Sequence, residues 1–196
     1  MGILVDNTCK FSEQCTTAAN SANRLLGMIK RNITYKSKNV ILRLYKALVR
    51  PKLEYCVQVW SPYMRKDIEV LERVQRRATK MIRGLRCIPY EERVKKLGLT
   101  TLEKRRIRGD LIETYKILNN VNKISYGKFF QYNTDKRTRG HCFKLIEKQC
   151  RLDLRKKFFS QRAVSIWNKL PSNVVSATSV NAFKKELDKF EKYADC

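Results

Sequence analysis

The sequence predicts a mainly α-helical protein. It reads as a helical bundle with a short N-terminal strand, followed by a smaller C-terminal helical region with a candidate hairpin. Three observations lead there. Apolar residues recur at three- and four-residue spacing in several long segments. Ser, Thr, Gly and Pro punctuate those segments where helices start and stop. Period-two alternation is confined to short stretches.

Gly2-Ile3-Leu4-Val5-Asp6 is the expected strand. A strand needs partners for its backbone groups, and little nearby offers them. Ser12 is placed to cap a helix running to about Arg31, with Ala18, Ala22, Leu25, Leu26 and Ile29 on its apolar side. Ser37 caps a second helix. Its inner side is Ile41, Leu44, Tyr45 and Leu48, and Arg43, Lys46 and Arg50 share the other side. Pro51 should end or kink that helix. A helix resumes through Leu53 to Val59, and Ser61-Pro62 stops it. The third helix, about Lys66 to Arg83, is the clearest. Ile68, Leu71, Val74, Ala78, Met81 and Ile82 fall in one arc, opposite Arg73, Arg76, Arg77, Lys80 and Arg83.

Gly84 suits a helix end, and a short helix from Pro89-Tyr90-Glu91-Glu92 to Leu97 closes at Gly98. Thr101 opens a fifth helix to about Asn119, with Ile107, Leu111, Tyr115 and Leu118 inward and Arg105, Arg106 and Lys116 outward. Asn119 to Gly140 reads as a linker or loop. His141 to Leu154 alternates in part, as a hairpin would. Phe158 to Leu170 and a Ser179-capped helix carrying Phe183, Leu187 and Phe190 complete the chain. The domains expected are residues 1–120, a bundle, and residues 121–196, a loop or hairpin with two helices.

Of 196 residues, 43% are hydrophobic, enough for a core. Forty-three Lys and Arg oppose 18 Asp and Glu, for a formal charge of +25. The excess is +7 over residues 1–64, +8 over 65–116 and +10 over 117–196, so the body rather than a tail is positive. The usual partner of such a field is a polyphosphate. Seven cysteines without a CxxC pair, and no opening signal peptide, suit reduced thiols in the cytoplasm or nucleus. No apolar run approaches the roughly 20 residues of a membrane span.

The run Leu44-Tyr45-Lys46-Ala47-Leu48-Val49-Arg50-Pro51-Lys52-Leu53-Glu54-Tyr55, with Trp60 following, resembles the segment after the polymerase core in LINE-type (non-LTR) retrotransposon reverse transcriptases. Ser160-Gln161-Arg162-Ala163, then Ile166-Trp167-Asn168-Lys169-Leu170-Pro171 and Phe183-Lys184, is similar to the C-terminal region of the same family. The resemblance spans nearly the whole chain. It implies a thumb-like bundle and C-terminal extension of an RNA-directed DNA polymerase from a transposable element, with the catalytic palm lying before residue 1. It implies no polymerase activity for this chain, and sequence-tolerant binding of an RNA or RNA–DNA duplex backbone. The residues expected to bind are Arg43, Lys46, Arg50, Arg73, Arg76, Arg77, Lys80 and Arg83. The last five form a cationic row, read here as lacking the neutralising i, i+4 acids of a merely solvated helix.

Catalytic and metal sites are not expected. Polymerase chemistry needs clustered carboxylates for two divalent ions. Tyr193-Ala194-Asp195-Cys196 echoes a Tyr/Phe-Ala-Asp-Asp turn without its second Asp, and Glu91-Glu92 suits an acidic first helical turn. His141 is the single histidine, and His141-Cys142 with Cys150 lacks the four close ligands of a zinc site. Cys9 and Cys15 read as packing residues, and Trp60 and Trp167 as core. Tyr55 is read as core, with stacking on a base or sugar the other reading. Neither a cofactor nor a small-molecule substrate is implied. The alternative reading is a domesticated basic module for ribonucleoprotein or protein–protein assembly.

Overall fold

A computed structural model describes residues 2–5, 10–134 and 140–190. Asp6, Cys9 and the Tyr193-Ala194-Asp195-Cys196 segment lie outside the described residues. The protein is mainly helical, as its periodicity requires. The chain divides into two compact units, Met1–Arg105 and Arg106–Cys196. The division falls within a helix rather than at the sequence-based boundary of 120.

In the first unit, α1 (Ser12–Asn32) packs most extensively on α5 (Arg65–Lys80). Ala18, Ala19 and Ala22 of α1 are buried, and their small side chains permit close approach to Leu71, Val74 and Ala78 of α5. Ser12 is not the N-cap. Phe11 precedes the helix in left-handed conformation, and the Ser12 hydroxyl instead donates to Asp67 of α5 at 2.7 Å. The expected strand is absent: residues 2–5 form no ladder, and the Leu4 N–H donates to the Gln14 side chain at 2.9 Å.

Pro51 neither ends nor breaks its helix. Between α2 (Lys38–Leu44) and α3 (Arg50–Glu54) the chain takes one π turn, Tyr45–Val49, in which the Arg50 N–H bonds back to the Tyr45 carbonyl. Proline removes one helical N–H and crowds the preceding turn, and a widened turn accommodates both. The extra residue rotates the inner face. Val49 is fully buried, while Leu48, expected inside, is 40% exposed. α4 (Val57–Trp60) then buries Trp60, whose Nε1 donates to the Tyr55 carbonyl at 2.6 Å. Tyr55 itself is exposed. α6 (Tyr90–Leu97) closes at Gly98, which adopts the left-handed conformation of a helix C-cap.

α7 (Leu102–Leu118) carries the chain from the first unit into the second. Two of its expected outward cations are placed differently. Arg106 is 3% exposed, and Arg105 grips the Glu54 carboxylate with Nε and, at 2.9 Å, Nη2. The second unit builds its core from Leu111 and Tyr115 of α7, Trp167 of α9 (Phe159–Trp167), and Phe183 and Leu187 of α11 (Val180–Lys189), with the short α8 (Asp153–Lys156) and α10 (Ser172–Val175) between them. Tyr115 stacks on Phe183 at 4.4 Å between ring centroids. Ser179 caps α11 by accepting the Ala182 N–H.

The expected hairpin within His141–Leu154 is not formed. One antiparallel bridge joins Tyr132 to Leu145, so the pairing partner lies before His141. The Asn168 side chain clamps that bridge, accepting the Leu145 N–H at 2.9 Å and donating to the Leu145 carbonyl at 2.8 Å. Arg162 makes a bidentate pair with Asp110, at 2.8 and 3.1 Å. Trp167, Asn168 and Arg162 thus all hold the second unit together.

Candidate nucleic-acid interface

α5 buries one side and exposes the other, but its inner side is not purely apolar. Glu72, Gln75 and Thr79 are buried with Leu71, Val74 and Ala78. Buried polar groups need partners. Gln75, fully buried, accepts from the Tyr45 hydroxyl at 2.6 Å and donates to the Tyr90 hydroxyl at 2.8 Å and the Thr100 carbonyl at 3.0 Å. The Tyr90 hydroxyl donates to Glu72, whose other oxygen accepts the Leu102 N–H at 3.0 Å. Burial, and the Glu72 bond after it, pushes the Tyr90 phenol above its usual range. This network locks the roll of α5 about its axis and fixes where its outer cations point.

Those cations line two adjoining grooves of the first unit. One, of about 730 Å³, is bounded by α1, the Lys36 loop and the end of α5. Its cations are Lys30, Lys36, Arg77, Lys80, Arg83 and Arg86. The other, of about 720 Å³, runs between α5 and α6, with Arg73, Arg76, Arg77, Lys80, Arg86 and Arg93. No Asp or Glu lines either groove, and Arg77, Lys80 and Arg86 belong to both. The Arg83 N–H donates to the Lys36 carbonyl at 3.0 Å, which draws the two loops together. Arg77 donates to the Asn23 side chain of α1 at 3.0 Å.

The structure gathers Arg73, Arg76, Arg77, Lys80 and Arg83, as the sequence groups them. Arg73 does have an i, i+4 acid, Glu69 at 3.7 Å, so that member of the row is partly neutralised. Arg43 and Lys46 are exposed but line neither groove. Arg50 is half-buried, 3.9 Å from Glu54. Burial, and secondarily Arg105, lowers its pKa from the usual value. Arg50 thus belongs to the Glu54–Arg105 cluster. Lys30, Lys36, Arg86 and Arg93 complete the grooves. They are missing from the sequence-based set because they reach α5 only through tertiary packing.

Among the described residues no group of three or more His, Cys, Asp and Glu is placed to hold a metal ion, and no helix is long and apolar enough to cross a membrane. His141 is buried, with Nε2 3.1 Å from the Trp167 carbonyl. No protein-family model, curated protein or solved structure matches the chain.

Proposed function

We propose that the first unit binds a nucleic-acid backbone, an RNA or RNA–DNA duplex, with little regard to base sequence. In this reading it serves as a thumb-like grip resembling that of LINE-type reverse transcriptases, and no polymerase chemistry is assigned to its residues. The observation that carries the reading is the pair of adjoining grooves lined by cations and by no carboxylate. Such a surface attracts phosphates by its sign, and its forked guanidiniums match phosphate oxygens bidentately. Backbone contacts of this kind position a strand without reading it.

Titration of mixed-sequence RNA–DNA hybrid, between about 50 and 200 mM salt, tests the reading. With about five phosphates neutralised, affinity falls roughly 10²- to 10³-fold over that range through counterion release. A salt-independent affinity, or none, refutes it.

A further inference from the structure

The groove between α5 and α6 contains an electrostatic anomaly. Arg93 is only 2% exposed. Its Nη1 donates to the Arg76 carbonyl at 3.3 Å, and its guanidinium lies 5.6 Å from the centre of the Tyr90 ring. Its Nε has no hydrogen-bond partner among the described residues. The Arg76 guanidinium sits 5.0 Å from the centre of the same ring. Two like charges therefore lie against one aromatic ring, and among the described residues neither forms an ion pair. The neighbouring carboxylate, Glu72, is already engaged by the Tyr90 hydroxyl and the Leu102 N–H.

A buried guanidinium without a counter-charge is costly, and a ring face offsets only part of that cost. A bound anion would supply the missing charge. The groove around it is open and walled by Ile88, Pro89 and Tyr90, with Arg73, Lys80 and Arg86 at its margins. The α6 acids Glu91 and Glu92 are exposed and do not line it.

We infer that Arg76 and Arg93, set against Tyr90, form a seat for a single phosphate, and that its occupant is one phosphodiester of the bound strand. The assignment of a diester rests on the nucleic-acid reading. The seat adjoins a second cationic groove through Arg77, Lys80 and Arg86, so neighbouring phosphates of the same strand meet cations on both sides. A free phosphate would use the seat alone.

The experiment has two arms on the full chain. The first compares thermal unfolding in sodium phosphate and in sodium chloride at matched ionic strength. Phosphate raises the Tm of the parent protein by about 3 °C and leaves Arg76→Gln unmoved. The second measures RNA–DNA duplex affinity. Arg76→Gln loses at least about tenfold, the worth of a charge-assisted bond, whereas Arg73→Gln at the rim loses about fivefold at most. Both results together support the seat. A phosphate shift without a selective loss of duplex affinity makes it a site for free phosphate and overturns the diester. Duplex binding in which both variants lose equally, with no phosphate shift, overturns the seat while the nucleic-acid reading stands. No phosphate shift and no duplex binding by the parent protein overturn both.

Discussion

Removing one hydroxyl from the network beneath α5 tests whether that network sets the geometry of the grooves. Tyr45 is 2% exposed and its hydroxyl is 2.6 Å from the Gln75 carbonyl oxygen, which lies in a fully buried side chain. Tyr45→Phe keeps the ring and leaves that oxygen without a donor. The amide cannot simply flip, because its NH₂ group is bound to Tyr90 and the Thr100 carbonyl. An unsatisfied buried acceptor costs about 1–3 kcal/mol. With a urea m-value near 2 kcal/mol per M, the midpoint for the first unit falls by about 1 M. In a Gln75→Leu background the acceptor is gone, and the same substitution costs about 0.5 kcal/mol or less. Urea unfolding, read by amide exchange in α2 and α5, measures both. The pH profile gives a further check. Burial first, and then nearby Glu54, raises the Tyr45 pKa, so the folded state holds a proton that the unfolded chain releases above about pH 10. Stability contributed by Tyr45 is complete below that pH and is lost as pH rises past it. Tyr45→Phe flattens that limb. An equal loss in both backgrounds, or a midpoint change under about 0.3 M, refutes the network as described.

Three other substitutions probe the rest of the structure. Arg93→Met replaces an unpaired buried cation with an apolar side chain of similar length, and in chloride buffer should leave stability unchanged or raise it by about 1–2 kcal/mol in urea unfolding. Arg162→Met strips Asp110 of its bidentate partner and should cost the second unit about 3–5 kcal/mol, most of it recovered in the double variant with Asp110→Leu. Burial lowers the His141 pKa from its usual value, with Lys144 adding to the effect, against the opposing bond to the Trp167 carbonyl. The unfolded chain binds a proton near pH 6.5 that the folded state resists, so stability should fall as pH drops below about 6.5. His141→Phe should remove that slope in acid titrations followed by Trp fluorescence.

The sequence carries the helices well where one face is apolar and the other charged. α1, α5, α7, α9 and α11 lie within a few residues of their expected bounds, because local periodicity determines them. It carries the cationic side of α5 for the same reason. What it hides is polar burial. Glu72, Gln75, Arg93 and Arg106 look solvent-facing by composition, yet all are buried. For Glu72 and Gln75 the reason is visible: partners up to 30 residues away, Tyr45, Tyr90, Thr100 and Leu102, satisfy them. The response to Pro51 was equally hidden. Proline chemistry demands a local adjustment, and the π turn that meets it leaves both Tyr45 and Val49 buried. Ser12 shows the converse, a good cap by type that is drawn to Asp67 instead.

The proposed grip on phosphates rests on the cations along the outer side of α5. Its most direct measurement is the slope of log affinity against log salt for an RNA–DNA duplex, for the parent protein, the Arg76→Gln/Arg77→Gln/Lys80→Gln variant, and a Lys185→Gln control on α11. The triple variant should lose close to three contacts, a slope shallower by about 2.7, with the control unchanged. Equal slopes for all three proteins would contradict it.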